Sequence, residues 1–120
     1  MILIKMAIST EVDSNDSFFL FSESEDKIFL NPKLTIKELS TFLNVPQREV
    51  SLLINQHFKL SFREFINNDR VEEVKSKLKN KDFSHMSILG IALESGFNSE
   101  ASFYRVFKKN TGISPKEYLQ

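Results

Sequence analysis

The stretch GFNSEASFYRVFKK, residues 96–109, ends in three cations that follow small polar and apolar residues. The guanidinium of Arg105 can hold guanine through two hydrogen bonds or clamp a phosphate, and the ammonium groups of Lys108 and Lys109 suit phosphates. Earlier in the chain, Asn55 can pair with adenine or a phosphate, and Ser51 can donate to or accept from either. These side chains could contact a nucleic acid if the fold presents them on a surface.

The sequence offers no comparable arrangement for catalysis or metal binding. It has no cysteine, and its two histidines, His57 and His85, are far apart and have no metal-ligand spacing. Glu72 and Glu73 are adjacent, so on a helix they diverge and cannot work as paired acid and base. We find no nucleophile beside a base and no phosphate-binding loop. We therefore expect no catalytic residue, no metal and no cofactor, and we predict that the protein is not an enzyme.

Length and composition predict one small domain. The 120 residues include 12 phenylalanines and no tryptophan, so the core should be mainly Phe and Leu packed between helices. The absence of cysteine fits a reducing compartment. The apolar start MILIKMAI is far shorter than the roughly 20 residues that span a bilayer. We expect a cytoplasmic protein with no membrane contact.

The net charge of zero hides a division of charge along the chain. Residues 1–30 carry two cations and six acids, a net of −4, whereas residues 31–120 carry 14 cations and 10 acids, a net of +4. We predict an acidic lead-in over residues 1–30, poorly ordered or a remnant of an upstream region, followed by a folded domain over residues 31–120.

Hydrophobic spacing near 3.6 and recognisable caps predict an all-α domain. The predicted capping boxes at helix starts are Thr35 with Glu38, Ser61 with Glu64, and Ser114 with Glu117. The other predicted helix-end residues are Pro46 in a first turn, Ser87 and Asn98 as N-caps, and Gly96 and Gly112 as left-handed C-terminal residues.

These helices form two segments with one plan, a short helix, a tight turn and a longer helix with an exposed polar face. The segments span about 35–57 and about 87–110, and a linker helix over about 61–79 joins them. This is the helix-turn-helix plan, in which the second helix enters the DNA major groove. One such unit is a weak signal, but two joined by one long helix are much more specific. Within the linker helix, Arg70 is predicted to be a structural ion-pair partner or a surface cation.

Residues 31–120 resemble the C-terminal DNA-binding domain of AraC/XylS-family transcription regulators. The likeness is most marked in IALESGFNSEASFYRVFKKNTGISPKEYL, residues 91–119. The stretch TIKELSTFLNVPQREVSLLINQHFKLSFREFI resembles the family's first helix-turn-helix motif, and RVEEVKSKL resembles its linker helix. The resemblance implies an all-α domain of about seven helices that acts as a sequence-specific output domain. Its two recognition helices would enter successive segments of the major groove of double-stranded DNA.

Carried over position by position, the resemblance also implies contact residues. The candidates for base contacts are Arg48, Ser51, Leu52, Asn55, Glu100, Ala101, Tyr104 and Arg105. The candidates for phosphate contacts are Gln47, Ser99, Ser102, Lys108 and Lys109. Leu52 departs from the family, which often has a polar residue there, and Lys59 replaces its usual glycine. We expect the second recognition helix to supply more of the specificity than the first, whose face is less basic.

A second hypothesis is a helical protein-interaction module that keeps the fold and has lost DNA binding, which Leu52, Glu100 and the modest charge favour slightly. The domain commonly lies behind a sensing or dimerising region in this family. We therefore expect an output domain, standing alone or cut from a longer protein. The further partners that the family implies are RNA polymerase and, through an upstream region missing from this sequence, a second copy of the chain.

Overall fold

The structure is a computed structural model that describes residues 27–120, and every described element is helical. Its six α-helices are α1 (Ile36–Leu43), α2 (Gln47–Leu52), α3 (Phe62–Leu78), α4 (Ile88–Glu94), α5 (Glu100–Thr111) and α6 (Pro115–Leu119). A π-helical turn, Leu53–His57, continues α2, and 3-10 turns lie at Ile28–Leu30 and Lys81–Phe83. The predicted all-α class is confirmed. Most of the predicted acidic lead-in lies outside the described residues.

Capping boxes begin three of the helices, as predicted. At α1, the amide of Glu38 donates to Thr35 Oγ1 at 3.1 Å, and the amide of Thr35 donates to Glu38 Oε1 at 3.0 Å. The same reciprocal pairs join Ser61 with Glu64 at α3 and Ser114 with Glu117 at α6. Each box satisfies two amides that the helix leaves without partners, so these starts are fixed locally.

Two predicted helix starts are displaced by one residue. The predicted N-cap Asn98 is wrong, because Ser99 caps α5 by accepting from the amide of Ser102 at 3.1 Å. Asn and Ser are both good N-caps, so local preference could not choose between them. Pro46 is the N-cap residue of α2, immediately before its first turn. At α4 the predicted cap is confirmed, since Ser87 Oγ accepts from the amide of Gly90 at 2.9 Å.

Residues with positive φ follow four of the helical segments. Gly96 has φ +104° after α4, and Gly112 has φ +83° after α5, as predicted from their positions. Asn44 and Lys59 adopt φ +57° after α1 and after the π turn. A side chain with a Cβ is strained in this region, and asparagine tolerates it better than lysine.

The chain divides into two compact units, each with one helix-turn-helix. Within the described residues, the first unit comprises residues 27–28 and Lys33–Phe65. In it, α1 packs against α2 over a core that includes Leu39, Leu43, Val50, Leu53 and Ile54. The second unit comprises Phe29–Pro32 and Ile66–Gln120. Its core contains Val71, Val74, Ile91, Ala92, Phe97, Phe103 and Phe107.

The described part of the chain contains no helix long and apolar enough to cross a membrane. Over the same residues, 27–120, no group of three or more His, Cys, Asp or Glu side chains could hold a metal ion.

Candidate nucleic-acid interface

Helix α5 is held by one aromatic face. Phe103 and Phe107 are completely buried, and their ring centroids lie 5.7 Å apart in an edge-to-face arrangement. Phe97, in the turn before the helix, lies 5.3 Å from Phe103, and Tyr118 of α6 lies 5.7 Å from Phe107. Such contacts add to the stabilisation that burial itself provides. The rotation of α5 about its own axis is therefore fixed by this core.

The opposite face of α5 presents all four predicted base-contact residues. Glu100, Ala101, Tyr104 and Arg105 are exposed, and their spacing places them on neighbouring turns of one face. Tyr104 is 39% exposed, so much of its ring faces solvent. Their contacts with DNA stay predictions.

Charge on α5 suits an anionic partner. The helix carries one acid and three cations, a net of +2, and the exposed Lys108 and Lys109 lie in its last turn. At its start the Ser99 hydroxyl oxygen accepts from the amide of Ser102, so Ser99 would donate its hydroxyl hydrogen to a phosphate. The Ser102 side chain is half-buried at the edge of this face. The predicted phosphate contacts on α5 thus lie at both of its ends.

The predicted first recognition helix corresponds to α2 with its π turn. It buries Val50, Leu53 and Ile54 and exposes Arg48 and Asn55. The predicted base-contact residues Ser51 and Leu52 lie between these, half-buried and 42% exposed respectively, and Gln47 is exposed at the first position. The exposed Leu52 makes this face partly apolar. Between Gln47 and His57 the one arginine and one glutamate cancel, so this helix has no net charge with His57 neutral.

The π turn is a feature that the sequence analysis missed. The amide of Phe58 donates to the carbonyl of Leu53 at 3.3 Å, five residues back, where an α-helix would reach four. A π turn contains about one residue more than an α turn. Side chains after Leu53 are therefore rotated about the helix axis relative to their directions in a continuous α-helix. Asn55 Nδ2 here donates to Ser51 Oγ at 3.3 Å. Two predicted base-contact side chains are therefore joined to each other.

Arg70 is neither a surface cation nor an exposed base reader. Its residue is only 9% exposed, and its guanidinium donates to the carbonyl oxygens of Phe29 and Asn31 and to Asn67 Oδ1. No local signal could have revealed this, because the two carbonyls lie 41 and 39 residues earlier in the chain.

Comparison with known families agrees with this geometry. A family model described as a helix-turn-helix domain matches residues 39–120. An uncharacterized HTH-type transcriptional regulator of Staphylococcus aureus (strain MSSA476) is 33% identical over 92 residues, which cover 77% of this chain and 12% of that protein. The melibiose operon regulatory protein of Escherichia coli (strain K12) is 31% identical over 85 residues, 71% of this chain and 27% of that protein. The chain thus spans only a small part of these relatives.

Solved structures show the same fold. The C-terminal domain of AraT, a response regulator from Geobacillus stearothermophilus, has a TM-score of 0.63 and 30% identity, covering 78% of this chain and 74% of that one. The C-terminal domain of the two-component response regulator yesN from Fusobacterium nucleatum has a TM-score of 0.67 and 23% identity, covering 88% and 99%. At that identity the second comparison supports the fold alone.

Proposed function

Because the chain belongs to the AraC-type family of helix-turn-helix transcription regulators, we propose that it binds double-stranded DNA in a sequence-specific manner as the output domain of a regulator. Both recognition helices, α2 with its π turn and α5, enter successive segments of the major groove in this proposal. In this proposal the DNA-binding domain corresponds to residues 31–120, and the buried Phe29 packs with its second unit.

The observation that supports this proposal most is the two-sided character of α5. Its inward rings fix the helix before DNA arrives, so little ordering entropy is lost on binding. Its outward side chains include Arg105, whose fork matches the two acceptors of guanine, and Tyr104, whose ring suits a thymine methyl. Glu100 would repel phosphate but can accept from the cytosine amino group.

The first recognition helix has a different chemistry in this proposal. Leu52 offers apolar contact to a thymine methyl, and Arg48 can hold guanine. Ser51 and Asn55 already share a hydrogen bond, so together they would present a preorganised polar pair. Because α2 and its π turn carry no net charge, we assign most of the sequence preference to α5.

Phosphate contacts supply affinity without sequence choice. We assign these to Gln47, Ser99, Ser102, Lys108 and Lys109. A net of +4 over residues 31–120 is modest, so a single copy should bind weakly and depend strongly on salt. RNA polymerase and a second copy of the chain are further proposed partners that would strengthen binding at a promoter.

The test begins with selection of bound sites from a random pool of duplex DNA. The affinity of the selected site and of a scrambled site is then measured from low to physiological salt. Arg105→Ala should lower the ratio of specific to non-specific affinity roughly tenfold to a hundredfold, the size of one good bidentate base contact. Arg63→Ala is the matched control, because Arg63 is exposed on α3 and is not a proposed contact. It should leave that ratio nearly unchanged.

Footprinting on the selected site tests the two-helix part of the proposal. Two protected major-groove segments about one helical turn apart, roughly 10 base pairs, are expected. A single protected segment would restrict reading to one helix. If no duplex DNA binds even at low salt and a protein partner binds instead, the chain is the interaction module and the proposal is wrong.

A further inference from the structure

We infer that Arg70 is a positioning residue for the second recognition helix. Its guanidinium fastens the Phe29–Pro32 segment beside the turn between α4 and α5. This inference rests on the proposed function, since it assigns to Arg70 an effect on the sequence preference that α5 supplies. Every residue in the argument belongs to the second unit.

The hydrogen bonds of Arg70 join α3 to the Phe29–Pro32 segment of that unit. Nε donates to the carbonyl oxygen of Phe29 at 2.8 Å, and Nη2 donates to that of Asn31 at 2.9 Å. Nη1 donates to Asn67 Oδ1 at 3.2 Å, within α3 itself. The planar guanidinium thereby reaches acceptors in several directions at once, which a single ammonium nitrogen on a flexible stem cannot reproduce.

The turn between α4 and α5 lies directly against this arrangement. A Cβ on Gly96 would stand 2.4 Å from the carbonyl oxygen of Phe29 and 2.7 Å from Arg70 Nε, closer than real Cβ atoms come. The Phe29 side chain is itself buried. Only a residue without a side chain can occupy this position while the Phe29–Pro32 segment and the guanidinium stay in place.

From Gly96 the effect passes directly to α5. The next residue, Phe97, is buried and packs edge-to-face on Phe103 of α5, and Ser99 then caps the helix. Any shift of the Phe29–Pro32 segment or of Arg70 would move this short turn. It would therefore change the direction in which α5 presents Arg105.

The first experiment uses the full chain with Arg70→Lys, which keeps the charge and loses the planar fork. We expect the ratio of specific to non-specific DNA affinity to fall about tenfold, as for a misplaced base contact. Protection of the segment assigned to α5 should weaken, while non-specific affinity and its salt slope stay unchanged. If Arg70 only stabilised the fold, Arg70→Lys would lower Tm and would leave the ratio of specific to non-specific affinity unchanged at temperatures well below Tm.

A second pair of variants tests the same idea through the turn. Gly96→Ala places a methyl group against Phe29 and Arg70, whereas Gly112→Ala introduces comparable positive-φ strain with nothing within 4 Å. We expect Gly96→Ala to lower the affinity ratio about tenfold and Gly112→Ala to preserve it. Far-UV circular dichroism tests whether each variant is folded. If Arg70→Lys does not fold, the glycine pair decides.

The outcomes separate this inference from the proposed function. If the unaltered chain shows no preference among DNA sequences, the proposed function fails and this inference fails with it. A chain that discriminates normally, with Arg70→Lys and Gly96→Ala both keeping its affinity ratio and footprint, overturns the positioning role alone. Equal losses from the two glycine variants would also overturn it, because strain alone would then explain them.

Discussion

Lys59→Gly should stabilise the protein, because Lys59 holds a backbone conformation that suits glycine. Its φ is +57°, and its side chain is exposed, so removing that side chain gives up little packing. A residue with a Cβ pays about 1–2 kcal/mol in the left-handed region. Replacing lysine by glycine relieves this strain, but about 0.5–1 kcal/mol of the gain is lost because glycine has more backbone freedom in the unfolded chain. The expected net gain is about 0.5–1 kcal/mol.

Thermal unfolding followed by circular dichroism measures this gain. For a domain of this size it corresponds to a rise in Tm of about 2–8 °C. Lys59→Ala separates backbone from charge, because alanine keeps the Cβ and removes the ammonium group. It should leave Tm nearly unchanged.

Asn44→Gly is the matched control, because Asn44 has the same φ of +57° and is also exposed. Asparagine tolerates this conformation, so its replacement should change the free energy of unfolding by less than about 0.5 kcal/mol. The reasoning is refuted if Lys59→Gly lowers Tm, or if Asn44→Gly raises Tm by as much.

Two further predictions concern the second unit. Phe103→Ala should lower the free energy of unfolding, measured in urea, by about 3–5 kcal/mol, because the Phe103 ring is completely buried. Tyr104→Ala is the control on the exposed face of α5. A loss from Phe103→Ala no greater than that from Tyr104→Ala would contradict the prediction. Hydrogen bonds from the backbone and the side chain of Ser114 lower the pKa of Glu117, so its contribution is present at neutral pH and is lost as pH falls through the lowered pKa. Glu117→Gln should therefore lower Tm at pH 7 but make little difference at about pH 3, and a difference that persists in acid would contradict the assignment.

Local sequence signals predicted the helix starts well. Thr35, Ser61 and Ser114 begin helices as expected, because a capping box involves only residues three apart and needs no distant partner. The inward faces were also predictable, since buried residues repeat at helical spacing: Val50 with Ile54, and Phe103 with Phe107. The same spacing places the four α5 candidates on the exposed side.

Residue type and spacing did not predict which of two neighbouring residues caps α5, nor the π turn that follows α2. Asn98 and Ser99 are both acceptable caps, and in the structure Ser99 caps α5. The π turn after Leu52 likewise leaves no pattern in the residue types. The hydrogen bond from Asn55 to Ser51, four residues earlier, was also not predicted from the sequence.

The sequence by itself determined the all-α class and the tandem helix-turn-helix plan, because these follow from short-range capping and from hydrophobic periodicity, whereas the candidate contact residues followed from the family resemblance. Only the tertiary structure decided the role of Arg70 and the close approach of Phe29 and Arg70 that leaves no room for a Cβ at position 96. Both depend on carbonyl oxygens that lie about forty or more residues earlier in the chain. Backbone carbonyls are present at every residue, so no residue type marks the two that a distant guanidinium will bind.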